Sequence, residues 1–99
     1  MPRRPRYSAH PDANQGEIVE RLRETMPCWI IDVSRFLPTP DIIVWSYDVR
    51  LDMWRWTLWE IKTEKGKLTA KQRKLLAEWP GAILIARTED DVLREYGRV

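Results

Sequence analysis

The chain is expected to fold as a mixed α/β domain, with three helices packed on a four-stranded sheet in the order αβββαβα. Three observations lead there. Two stretches, 15–26 and 69–79, repeat apolar residues at helical spacing and are closed by Pro27 and by Pro80–Gly81. Four runs rich in β-branched, aromatic or other apolar residues, Trp29–Val33, Asp41–Trp45, Trp54–Lys62 and Ala82–Ala86, read as strands. Finally, 99 residues of which 43% are hydrophobic make one domain with enough apolar material for a core.

Residues 1–11 hold three prolines and three arginines (Arg3, Arg4, Arg6) and read as a basic, flexible arm, leaving 12–99 as the domain. Asp12 is the expected N-cap of the first helix, with Gln15 as capping-box partner. Ile18, Val19, Leu22 and Met26 form the apolar stripe. The strand Trp29–Val33 leads into a loop broken by Pro38 and Pro40. Asp41–Trp45 is apolar enough for a buried strand, and Asp48–Asp52 must turn the chain into Trp54–Lys62 although it has neither glycine nor asparagine. Thr69 caps a second helix carrying Leu75, Leu76 and Trp79. Ala82–Ala86, apolar throughout, is expected in the centre of the sheet. Thr88 with Asp91 opens a last short helix carrying Val92, Leu93 and Tyr96.

Composition narrows the chemistry. With Cys28 the only cysteine and His10 the only histidine, an intrachain disulfide and a zinc site built from Cys and His are excluded. A Ser–His or Cys–His nucleophile would have to draw on His10 in the arm. No apolar run approaches the roughly 18 residues of a membrane span, and the basic start has no apolar stretch behind it, so a soluble, cytoplasmic protein is expected. Seventeen Lys and Arg against fifteen Asp and Glu leave a net charge of +2, compatible with nucleic acid without requiring it. Catalysis, if present, falls to Asp, Glu, Lys and a hard metal ion.

Two strings carry such chemistry: Pro40–Asp41 opening one strand and Glu60–Ile61–Lys62 closing the next. Residues two apart in a strand share a face, so Glu60 and Lys62 project together. In a hairpin whose opposed residues sum to 101, Asp41 faces Glu60 with Cβ atoms about 5 Å apart. Two facing carboxylates repel, and a divalent cation removes the difficulty by bridging them. Mg²⁺ takes one or two carboxylates plus waters and phosphate oxygens. Lys62 beside it would orient an attacking water and stabilise charge on phosphate. Trp54 and Trp56 share that face and read as core or subunit-interface rings, the other possibility being stacking on unpaired bases.

Pro40–Asp41, eighteen residues, then Glu60–Ile61–Lys62 resembles the PD-(D/E)XK nuclease signature. The likeness narrows to the virus-type replication-repair nuclease (VRR-NUC) domain and to small phage proteins similar to it. It runs through Asn14–Val19, Asp32–Ser34, Pro40–Val44, Leu58–Lys62, Leu68–Gln72 and Gly81–Val92. The segment Thr39–Pro40–Asp41 departs from these families in having no glycine beside the Pro–Asp pair. The resemblance implies a restriction-endonuclease-like core. In it Asp41, Glu60 and the backbone carbonyl of Ile61 hold Mg²⁺ or Mn²⁺, Lys62 is catalytic, Glu17 is an auxiliary acid and Gln72 borders the site. No small-molecule cofactor is implied. Each of the last two residues also has a structural reading: Glu17 suits a helix N-terminus, and Thr69–x–x–Gln72 is a capping box.

The expected activity is metal-dependent hydrolysis of DNA, branched or otherwise structured, of the four-way-junction or flap type, in phage or mobile-element replication, recombination or repair. The alternative is a non-catalytic nucleic-acid-binding module that keeps the nuclease fold. Lys65, Lys67, Lys71, Arg73 and Lys74 form the expected phosphate-contacting flank. A homodimer is the expectation for so small a domain acting on a branch with two symmetric arms.

Overall fold

The helical spacing of Ile18 and Leu22 is realised as α1 (Gln15–Thr25), which Pro27 stops after Met26. The structure, a computed structural model, describes residues 14–99; the basic arm and the Asp12 cap expected for the first helix lie outside the described residues. The N-cap is Asn14 and not the expected Asp12, so Gln15 is the first helical residue instead of a capping-box partner; the Asn14 carbonyl accepts the first helical bond from Ile18 at 3.0 Å. β1 (Cys28–Asp32), β2 (Ile42–Asp48) and β3 (Met53–Ile61) follow, then α2 (Ala70–Glu78), β4 (Ile83–Ala86) and α3 (Glu89–Glu95). This is the expected αβββαβα order in a mixed sheet. The strands lie in the order β1-β2-β3-β4, antiparallel except for β4, which runs parallel to β3. No helix among the described residues is long and apolar enough to cross a membrane.

β2 and β3 pair from Ile42↔Trp59 to Asp48↔Met53, the sum-101 register. Alternation then sorts the side chains between the two faces of the sheet. Ile42, Val44, Trp59, Ile61 and Ala86 turn inward and meet Ile18, Leu22 and Met26 around α1 and Val92, Leu93 and Tyr96 around α3; these eleven side chains are the core. The opposite face carries Trp29 and Ile31 of β1, Trp45 and Tyr47 of β2, and Trp54 and Trp56 of β3, related by cross-strand pairing. Of the two readings expected for Trp54 and Trp56, core or subunit-interface rings, the core one is corrected here, since they are 41% and 50% exposed.

The turn between β2 and β3 works without glycine. The Asp48 carboxylate accepts backbone N–H groups from Arg50 at 2.9 Å and Leu51 at 3.1 Å, an Asx-type turn. Asp52 takes the left-handed conformation, φ 56°, which a short polar residue tolerates, and its carboxylate accepts the Tyr47 hydroxyl. Asp48 is itself buried and pairs with Arg55 at 2.9 Å, and Arg55 pairs with Glu95 of α3 at 2.9 Å. The Arg55 guanidinium lies 5.1 Å from the Tyr96 ring centre. Beneath it the buried Tyr96 hydroxyl meets Thr57 Oγ1 at 2.8 Å and donates towards the carbonyls of Arg55 and Val44, at 3.0 and 3.1 Å. Burial pushes the Tyr96 hydroxyl above its ordinary pKa. A polar seam therefore ties the turn and β3 to α3.

Two expectations need correction. β4 lies at the edge of the sheet, not at its centre, because an apolar run reports covered faces whereas sheet position is set by hydrogen-bonded neighbours, and β3 is the strand that pairs with it. In α2, Leu75, Leu76 and Trp79 are half-buried and outside the core, and the buried residue is Gln72.

Burial works against the Asp48 charge, but hydrogen bonds from Arg55, Leu51 and Arg50 outweigh it and hold the pKa at about 2, below the ordinary 3.8. A lowered folded-state pKa gives stability that is present above pH 4 and lost as pH falls towards 2, because the unfolded chain takes up the proton first. Asp48→Asn should accordingly lower the urea midpoint at pH 7, and the gap to wild type should close as pH falls from 4 to 2. A gap independent of pH would remove the charge from this account.

Candidate active site

Asp41 stands immediately before β2 and is 2% exposed. Its carbonyl accepts Val33 N–H at 2.9 Å, its N–H donates to the Trp59 carbonyl at 2.8 Å, and its Oδ2 accepts the Ile61 N–H at 2.8 Å. The bond to Trp59 is one residue off the sum-101 ladder. Asp41 is therefore not a ladder partner of Glu60 as expected; its hydrogen bonds to Trp59 and Ile61 fall on the residues either side of Glu60. The peptide bond before Pro40 is cis, and both Thr39 and Pro40 are buried.

Glu60, 0% exposed, is met from two sides. Lys62 Nζ, on the same face of the chain and also buried, lies 3.7 Å from Glu60 Oε2. The Gln72 side-chain amide of α2 donates to the same oxygen at 2.7 Å and to the Pro38 carbonyl at 3.3 Å. Gln72 Oε1 accepts Thr69 N–H at 3.0 Å while Thr69 Oγ1 accepts Gln72 N–H at 3.1 Å, the expected capping box. One side of the Gln72 amide thus caps α2 while the other meets Glu60.

Two residues that sequence reasoning missed brace this corner. The Asn14 amide donates to the carbonyls of Lys62 and Arg87, at 3.3 and 3.2 Å, joining the ends of β3 and β4 where α1 begins. Arg87 directs its guanidinium onto the carbonyls of Thr63, Glu64 and Gly66, gripping the loop that follows Lys62. Nothing in the spacing marks either one, because their partners are backbone carbonyls distant in the chain.

Glu17 is not brought to the pair. It lies on the exposed side of α1, where its carboxylate binds Arg21 at 2.9 Å. The spacing four residues apart favours that bridge, and nothing desolvates the acid. Ile61 is buried beside Glu60 and anchors Asp41 through its N–H. Asp32 accepts the Ser34 N–H and hydroxyl and shapes the next turn. Lys65, Lys67, Lys71, Arg73 and Lys74 are exposed along the loop and α2 that follow the site. Cys28 packs half-buried against the core, and burial raises its thiol pKa.

Among the described residues, no group of three or more Asp, Glu, His or Cys is gathered as a metal cluster. The chemistry of the donors still suits a hard dication, which takes one or two carboxylates and completes its shell with water. Asp41 and Glu60 are the side chains here that would hold Mg²⁺ or Mn²⁺. No family model, curated protein or solved structure matches the chain.

Gln72→Glu keeps the capping box but sets a second carboxylate where the amide met Glu60. At pH 7 in chelator it should cost about 1–3 kcal/mol, the range for a buried polar group left unpartnered. Like-charge repulsion raises one of the two folded-state pKa values, so the variant should regain stability as pH falls through that raised value. Urea midpoints at pH 7 and 5 test this, and an unchanged midpoint at pH 7 would deny the contact.

Proposed function

We propose that the protein is a divalent-metal-dependent DNA nuclease of the PD-(D/E)XK type, similar to the VRR-NUC domain, with Asp41, Glu60 and Lys62 as its catalytic centre. The observation that carries the reading is the joint burial of three ionisable side chains at one end of β2 and β3, with Gln72 bonded to the central carboxylate. Burying charge costs several kcal/mol per group even after relaxation, and a fold without a use for it fills such a corner with apolar residues instead.

When bound, Mg²⁺ or Mn²⁺ supplies Lewis-acid polarisation of a phosphodiester and a water acidified for attack. The chain's own residues do the positioning. The Ile61 N–H fixes Asp41, and the Gln72 amide fixes Glu60. Both carboxylates are thus oriented before substrate arrives. The Lys62 ammonium beside Glu60 offers a proton-bearing cation to the attacking water and to charge developing on phosphate. Lys65, Lys67, Lys71, Arg73 and Lys74 would contact the phosphate backbone next to the cut. The substrate we infer is branched or otherwise structured DNA in the cytoplasm, of the kind met in phage or mobile-element replication, recombination and repair.

Cleavage of duplex, flap, splayed-arm and four-way DNA should require Mg²⁺ or Mn²⁺ and be abolished in Asp41→Ala and Glu60→Ala. Lys62→Ala should lose at least ~10²-fold in single-turnover rate. It should lose no more than about one phosphate contact of affinity when binding is measured in Ca²⁺. Asp41→Ala cutting at the wild-type rate would overturn the site. Binding without cleavage of any of these DNAs would leave the non-catalytic module as the better reading.

The basic flank has its own test. Log affinity should fall linearly with log salt, and Lys67→Ala and Lys71→Ala should each flatten the slope by about 0.9 on duplex DNA. Unchanged slopes in both would return the flank to a solvated surface.

A further inference from the structure

Helices α1 and α3 cover one face of the sheet, while much of the other is open. Trp29, Ile31, Trp45, Tyr47, Trp54 and Trp56 share that open face by cross-strand pairing. The rings of Trp45, Tyr47, Trp54 and Trp56 form one contiguous platform, with Trp29 and Ile31 beside it across the β1–β2 pairing. Trp45 lies 4.8 Å from Trp56 and 6.0 Å from Trp54 between ring centres, and Trp54 meets Tyr47 edge-on at 6.0 Å. Exposures of 71% for Trp29, 50% for Trp56 and 41% for Trp54 leave about 400 Å² of surface open, taking ~250 Å² for a whole indole side chain. The largest apolar patch on a typical monomer measures about 300–600 Å² and is often functional.

We propose that this tryptophan face is the interface through which two copies of the chain associate. Area and charge both support that occupant. Three rings already reach about half of the ~800 Å² that each partner contributes to a standard interface, with Ile31 at 49% exposure and the half-buried Trp45 and Tyr47 still to add. A two-fold interface sets each patch against its own copy, so a charged patch would repel itself. None of the six side chains is charged. Single-stranded nucleic acid is the less suitable occupant, because platforms for it combine aromatic rings with cations along the backbone path. The lysines and Arg73 of the proposed phosphate-contacting flank lie on the loop before α2 and on α2 itself, off the ring platform. Aromatic and apolar anchors free of charge are instead what the centre of a homodimer interface contains.

The face continues along β3 from Trp56 through Leu58 to Glu60. Four residues at ~3.3 Å each place the nearest ring about 13 Å from the catalytic carboxylate along the strand. Association would therefore set two sites at a fixed spacing, as a branch with two arms requires. That last consequence rests on the nuclease reading; the interface does not.

The test is sedimentation of the full chain over about a hundredfold range of concentration, without metal or DNA. Wild type should be a dimer that dissociates on dilution. Trp29→Lys and Trp56→Lys should each weaken it at least ~30-fold, the size of an interface hot spot. Trp29 is the most exposed of the six side chains, so Trp29→Lys should keep the wild-type circular dichroism and thermal midpoint. A wild type that stays monomeric throughout, or a dimer untouched by both substitutions, would overturn the proposal. A monomer whose binding to a single-stranded oligonucleotide is lost in Trp29→Ala would give the face to nucleic acid instead. Since nothing here is read from cleavage, a failed interface and a failed nuclease give different results.

Discussion

The register between β2 and β3 is the constraint on which the other features hang. Every residue of a strand changes face if the pairing slips by one. A slip here would expose Val44 and Trp59, bury Trp45 and Trp56, and carry Glu60 away from the end of α2. What prevents it is chemistry at the turn. The Asp48 carboxylate closes the turn on the N–H groups of Arg50 and Leu51, and Arg55 links the same carboxylate to α3. The Tyr96 hydroxyl then reaches Thr57 and the Val44 carbonyl, one residue on each strand, and so reads the register from inside the core. A buried hydroxyl left without those partners would cost about 1–3 kcal/mol, enough to matter against the marginal stability of a small domain.

The candidate site uses this frame and adds two departures from it. Asp41 shifts one residue out of the ladder, so its carboxylate meets the Ile61 N–H and lies beside Glu60 instead of pairing across from it. α2 reaches the carboxylate through Gln72, whose amide oxygen serves its own helix and whose nitrogen serves Glu60. Asn14 and Arg87 then tie the strand ends and the loop after Lys62 together. The site is therefore set by hydrogen bonds of Asn14, Asp41, Gln72 and Arg87, most of them to backbone groups. These bonds hold three buried ionisable side chains together near the rim of the sheet.

The two faces of the sheet divide the labour. The inner face carries the aliphatic core and the polar seam that stabilises it. The outer face carries the carboxylates and Lys62 at one end and the tryptophan platform at the other. With so few residues, two helices suffice to cover one face, and α2 is committed to the site. The platform is what remains uncovered.

Residue pattern alone determined the element order and the αβββαβα class, because apolar periodicity and the positions of Pro27 and Pro80 are local properties of the chain. It left the β2–β3 register open, since the Asp48–Asp52 turn does not set it; the sum-101 pairing that would oppose the two carboxylates is realised from Ile42↔Trp59 to Asp48↔Met53, without Asp41. The pattern also singled out Asp41, Glu60, Lys62 and Gln72 as candidates, since strand alternation and a capping box both act over a few residues, but not the contact by which Asp41 meets Ile61. Tertiary structure alone decided the rest. The edge position of β4 depends on which strands hydrogen-bond, not on how apolar β4 is. Glu17 turned to Arg21 because its side of the helix faces solvent. The roles of Asn14 and Arg87 depend on carbonyls that folding brings to them from 48 and 73 residues away for Asn14 and from 21 to 24 residues away for Arg87. Whether a tryptophan is core or surface was likewise undecided by its spacing, because alternation assigns a residue to a face and only packing decides whether that face is covered.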